Sequence, residues 1–206
     1  MNETLTKQLR RMAWGWVLLH LDFRLGPINL LPDWLGYILI LNGLLGITTY
    51  VPQASLLFSF GMGLGAVSLL QWLLGFLGIS FAPTWLTLVT SVVSLYFQFQ
   101  LLQDLATLSD VNECTTGPTL RRLSTYNLLC CTILYLVTFL DVDLSGVLGG
   151  SVSLLELLLV ALLLVGLIIT IQIARALFAF QREMADKGEI TPIPVSSYKA
   201  DHSGDM

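Results

Sequence analysis

Three residues able to do chemistry, His20, Asp22 and Arg24, crowd the end of an apolar run and are followed at once by Gly26-Pro27, Asn29 and Pro32-Asp33. A guanidinium in such a setting can hold an anion or a carboxylate, while a neighbouring imidazole and carboxylate relay a proton. His20 and Arg24 are spaced to share one helix face, whereas Asp22 and Arg24 point apart unless the helix has already broken. A second reading competes with this one. If the helix ends near Leu21, all three residues lie among lipid headgroups, with Arg24 on phosphate and Asp22 capping the loop. A charge at the centre of a membrane helix costs about 2.5–3.5 kcal/mol, and interfacial placement lowers that cost.

Two more groups of polar residues stand inside apolar sequence. The stretch from Tyr96 to Asp104 carries Gln98, Gln100 and Gln103, and Tyr96, Gln100 and Gln103 recur at the spacing of one helix face, which Thr107 continues. Three amides and a phenol can line a water-filled path for a polar solute, or can hydrogen-bond neighbouring helices instead. Glu156 is the most isolated acid, one or two turns into a long apolar helix. If deep, it needs a proton or a partner, and Arg24 is the natural partner at that level. The candidate substrate-binding set is therefore His20, Asp22, Arg24, Gln100, Gln103 and Glu156, for a small polar or anionic solute.

The elements that must carry these residues follow from composition. Of 206 residues, 55% are hydrophobic and 12% charged, with mean hydropathy +0.77. A soluble domain carries about a quarter charged residues, so the solvent of this chain is a bilayer. The pattern predicts spans over about 12–31, 33–49, 54–77, 85–105, 123–140 and 151–176. Residues 1–12 form an amphipathic lead-in whose Leu5, Leu9, Met12 and Trp16 recur at helical spacing, with Trp14 and Trp16 as interfacial anchors. Residues 13–180 form the membrane domain, packed through small residues such as Gly61, Gly65 and Ser68. Residues 181–206 read as a disordered cytoplasmic tail. Gly26-Pro27 is expected to break the first span, and Pro32-Asp33 to start the second.

With six spans and the N-terminus inside, Lys7, Arg10, Arg11, Arg121, Arg122, Arg175, Arg182, Lys187 and Lys199 all fall on the cytoplasmic side. Arg24 is then the only remaining one of the 10 Lys and Arg residues. This satisfies the positive-inside rule and predicts that both termini are cytoplasmic. The outer turns at Leu21–Pro27, Leu77–Pro83 and Leu140–Gly146 read alike, which suggests three tandem helical hairpins. Apolar helices that end in small-residue turns give the same pattern without a repeat.

Nucleotide, hydrolase and zinc-protease motifs are missing from the sequence. Cys114, Cys130 and Cys131 show no metal-ligand spacing, and no cofactor is expected. Basic runs interleaved with aromatics, the mark of nucleic-acid binding, are also missing. The expected activity is not enzymatic. A permease-like protein leads, and a non-catalytic subunit or scaffold that binds another membrane protein, or a second copy of itself, is the alternative.

The run Asp22, Arg24, Gly26, Ile28, Asn29, Leu31, Pro32, Asp33, Leu35, Gly36 and Tyr37 resembles the first hairpin of a group of small multi-pass membrane proteins of Gram-positive bacteria. That group has no assigned activity. The resemblance implies a bacterial plasma membrane and nothing about the chemistry.

Overall fold

A computed structural model describes residues 2–20, 24–25, 28–29, 32–51, 54–78, 83–139, 154–187 and 190–194. Among them are six helices and one short strand pair. The helices are α1 (Asn2–His20), α2 (Asp33–Ile47), α3 (Ala54–Phe76), α4 (Thr84–Val111), α5 (Gly117–Phe139) and α6 (Leu154–Asp186). The strands β1 (Arg24–Leu25) and β2 (Ile28–Asn29) pair antiparallel, Arg24 opposite Asn29 and Leu25 opposite Ile28.

The fold is all-helical, and three helices are long and apolar enough to cross a membrane: α3, α4 and the Leu157–Asp186 part of α6. The other three miss for separate reasons. A bilayer core about 30 Å thick needs roughly 20 residues of helix. The apolar helix α2 has 15, which at 1.5 Å per residue is about 22 Å. Lys7, Arg10 and Arg11 lie within α1, and Arg121, Arg122 and Asn127 within α5.

The first helix differs from its expectation at both ends. It begins at Asn2 as one continuous element, and Leu5, Leu9, Met12 and Trp16 are buried in the bundle core. Trp16 is thus a core residue, while Trp14 is exposed and sets its ring edge-on to Phe178 of α6 at 5.5 Å. The described helix ends at His20 and Arg24 belongs to β1, so Arg24 is not in the second half of a continuous span. This is in keeping with the reading that ends the helix near Leu21; Asp22 lies outside the described residues. The physical reason is local: continuing the helix would carry a carboxylate, a guanidinium and Gly-Pro into an apolar environment.

Small residues let α1 and α2 touch backbone to backbone. A Cβ on Gly36 would lie 2.8 Å from the Leu19 nitrogen and 2.9 Å from the Gly15 carbonyl oxygen. One on Gly15 would meet the Gly36 carbonyl at 2.8 Å and the Ile40 nitrogen at 2.9 Å. Each glycine therefore faces main chain, which has no rotamer with which to yield. On α3, a Cβ on Gly61 would meet Leu41 of α2 and Phe97 of α4, both at 2.8 Å, and one on Gly65 would meet the Tyr37 Cβ at 3.2 Å. These contacts leave one face of each long helix outside the bundle. Leu157, Leu163, Leu164, Leu167, Ile168 and Ile171 of α6 are all exposed, an apolar surface of a size that water-soluble monomers rarely present.

The other end of the bundle gathers the basic residues and the described part of the C-terminal tail. The expected disordered tail begins at 181, but α6 continues to Asp186, and the segment 190–194 packs with Ile190 and Ile193 buried. The Ile193 amide donates to the Tyr50 carbonyl at 2.9 Å. The Asn112 side chain pairs with the Thr191 backbone, donating through Nδ2 to its carbonyl at 3.0 Å and accepting its N–H at 2.8 Å. The Glu183 carboxylate accepts from the amides of Thr115 (2.9 Å) and Thr116 (3.3 Å), and from both threonine hydroxyls. It thereby holds the end of α6 on the N-terminus of α5, where an anion complements the helix dipole. Residues 195–206 lie outside the described residues.

Candidate functional site

The opposite end of the bundle is uneven. Leu19 of α1 lies against Gly36 of α2, so these two helices finish level with each other. Tyr37 of α2 lies against Gly65 of α3 and shares a 3.3 Å hydroxyl hydrogen bond with Ser94 of α4. From that shared level α2 runs on for only about 6 Å, from Tyr37 to its start at Asp33, whereas α3 and α4 each run on for about 15 Å, to Phe76 and Thr84. The first two helices thus stop about 10 Å, or two turns, short of the next two. β2 lies beside α3, and the strand pair belongs to the connection from α1 to α2 at this step. Trp34 lines the wall with its ring edge-on to Trp72 at 6.1 Å. Its Nε1–H is buried and finds no acceptor among the described residues.

Beneath this step the bundle interior is polar, with Tyr37 and Asn127 buried. His20 stacks on Trp16 with ring centroids 4.5 Å apart, and its Nδ1 lies 3.0 Å from the Trp16 carbonyl oxygen. A carbonyl only accepts, so the imidazole carries its proton on Nδ1. His20 also hydrogen-bonds the Gln98 side chain. Gln98 donates to the Ser94 hydroxyl at 3.3 Å and accepts from Nδ2 of the buried Asn127 at 3.3 Å. The Cys131 thiol donates to the side-chain Oδ1 of Asn127 at 3.8 Å. Four helices (α1, α2, α4 and α5) therefore join through one chain of side-chain hydrogen bonds in an otherwise apolar bundle. Such a chain can exchange its internal bonds for bonds to a polar guest.

The sequence-predicted set is only partly assembled. His20 joins the polar group beneath the step. Gln100 and Gln103 lie further toward the basic end of α4, away from Gln98. Gln100 donates to Asp104 of its own helix at 2.8 Å, and Tyr96 turns outward against Phe60. Arg24 belongs to β1, and Glu156 to the first turn of α6. The positions of their side chains, and Asp22 altogether, lie outside the described residues.

Sequence reasoning passed over Ser94, Asn127 and Tyr37. The signal was present: Ser94 and Gln98 are one helical turn apart, and Asn127 is a lone amide in an apolar span. It also gave no weight to Asp104, which is 3% exposed. Its Oδ1 accepts from Gln100 and its Oδ2 has no hydrogen-bond partner among the described residues.

Among the described residues no His, Cys, Asp and Glu cluster could hold a metal. Cys114, in the α4–α5 connection, is buried against Met184. Burial pushes its thiol up from the ordinary value, and the Glu183 carboxylate adds to the effect. It is therefore not an activated thiolate. No protein-family model, curated protein or solved structure matches the chain.

Proposed function

We propose that this is a multi-pass integral membrane protein that crosses the bilayer six times, with both termini on the basic, cytoplasmic side. Its outward recess accepts a small polar or anionic solute, as in a permease. The observation that carries this reading is the two-turn shortfall of α1 and α2 beside α3 and α4, directly above the hydrogen-bonded group of His20, Gln98, Ser94, Tyr37 and Asn127. A shortened helix pair in a bilayer leaves space that only chain, water or solute can fill, and the chain returning there bears Asp22, Arg24 and Asn29. Arg24 supplies the anion-binding charge, with Glu156 and Asp22 as its counter-charges. Gln100, Gln103 and Asp104 mark the continuation toward the cytoplasm.

The test is thermal stability of the detergent-purified protein against a panel of small polar solutes. A ligand at 100 times its Kd adds about 2.7 kcal/mol, which in a chain of this size raises Tm by about 5–11 °C. Arg24→Gln is expected to abolish that rise while leaving the unliganded Tm unchanged. A full rise in the variant would remove Arg24 from the site. A flat panel with well-folded protein would favour a scaffold that binds another membrane protein. Gly63 and Gly75 of α3 support that second reading, because each opens onto free space rather than onto a packed neighbour.

A further inference from the structure

At the basic end, α5 and α6 border two open, adjoining clefts of about 550 and 510 Å³ that share Thr119, Leu123 and Gln172. Arg122 lines the first and Arg175 the second. Neither arginine has a salt bridge or hydrogen bond among the described residues, whereas Arg121 beside them is held by Asp110 at 2.7 Å. We propose that this cleft binds the phosphodiester headgroup of an anionic membrane phospholipid, with Arg122 and Arg175 on the phosphate. The inference rests on the membrane reading above.

Three observations favour a lipid over other anions. First, the polarity of both walls is graded along the helix axis. On α5, Thr119, Arg122, Tyr126, Leu129 and Ile133 follow one another at helical spacing on one exposed face. On α6, Arg175, Gln172, Ile168 and Leu164 do the same in the reverse direction. Each stripe passes from charge through an amide or phenol to hydrocarbon, the order in which a phospholipid presents phosphate, glycerol ester and acyl chain. Second, the spacing fits one leaflet. Ile133 to Arg122 and Leu164 to Arg175 each span about 16 Å of helix, close to half of a hydrocarbon core about 30 Å thick. Third, the described lining sets two arginines against one acid, Glu183, whose hydrogen bonds are spent on the amides and hydroxyls of Thr115 and Thr116, so the cleft keeps a net positive charge. Basic clefts between membrane helices at the headgroup level are the known setting for anionic-lipid recognition.

The experiment delipidates the detergent-extracted protein and titrates it with phosphatidylglycerol, phosphatidylcholine or inorganic phosphate, reading bound lipid by native mass spectrometry and Tm. The wild type is expected to bind phosphatidylglycerol at least tenfold more tightly than phosphatidylcholine. The double variant Arg122→Gln/Arg175→Gln should lose that preference and keep its lipid-free Tm, and Arg182→Gln should behave as wild type. Equal binding of the two lipids, an unchanged preference in the double variant, or saturation by inorganic phosphate in place of lipid would overturn the proposal. Recovery of the chain without detergent would overturn the membrane reading itself, and the lipid site with it.

Discussion

Replacing Gly36 with valine is expected to lower the Tm of the purified protein by about 6–12 °C, the equivalent of about 3 kcal/mol in a chain of this size. A side chain at this position meets the Leu19 nitrogen and the Gly15 carbonyl oxygen, both below 3 Å. Backbone atoms can move away only if α1 as a whole retreats from α2. That retreat would unpack Met12, Trp16 and Ile40, which are all buried at this seam. Gly63→Val provides the control. Gly63 has nothing within 4 Å, so the same change in side chain should leave Tm within about 1–2 °C of wild type, as surface substitutions do. Equal losses in the two variants would mean that glycine content, and not the α1–α2 approach, sets stability.

The second large effect has the opposite sign. Asp104→Leu is expected to raise Tm by about 2–12 °C, from a gain of about 1–3 kcal/mol. Asp104 is 3% exposed, with one carboxylate oxygen held by Gln100 and the other without a hydrogen-bond partner among the described residues. A buried polar atom without a partner costs about that much, and leucine fills the volume without it. Phe97, Leu101 and Leu108 share the buried face, so the replacement meets apolar neighbours. Stability gained by deleting such a group is characteristically lost in function. The same variant should therefore fail to show the solute-dependent rise in Tm. A fall in Tm on substitution would show that Asp104 is structurally satisfied and would remove it from the proposed path.

The sequence made some of this architecture visible and concealed the rest for identifiable reasons. Proline marks the starts of two helices, because it lacks the N–H that the first turn leaves unpaired. α2 begins at Asp33 after Pro32, and α4 begins at Thr84 after Pro83. The end of α1 was less legible. Apolar residues continue through Leu21, Phe23 and Leu25, so hydropathy extends the first span to residue 31. The charges and Gly26-Pro27 support the competing end near Leu21, with which the described helix, ending at His20, agrees. The polar face of α4 was ambiguous because Gln98, Gln100 and Gln103 are spread around the helix. Which of them turns inward depends on where α5 places Asn127 and α1 places His20, and a single helix does not encode that. The packed tail was hidden because Ile190 and Ile193 are two isolated apolar residues among prolines and polar residues. Their burial depends on Tyr50 and Asn112 being brought to the same end of the bundle.

The count of spans separates in the same way. Hydropathy identifies α3, α4 and α6 directly. The six-span proposal also needs α1, α2 and α5, which carry Lys7, Arg10 and Arg11, are only 15 residues long, or carry Arg121, Arg122 and Asn127, respectively.

The most direct test of the account is therefore side-specific cysteine labelling in intact cells. Cys114, Cys130 and Cys131 would first be replaced, and single cysteines then introduced as Thr4→Cys, Asn29→Cys, Ser80→Cys and Ser203→Cys. Six spans with an outward recess predict that a membrane-impermeant maleimide labels positions 29 and 80 from outside. Positions 4 and 203 should react only after the membrane is opened. Labelling of position 4 or 203 in sealed cells would contradict the topology. Labelling of position 80 but not 29 would contradict the water-filled recess above His20 and Gln98.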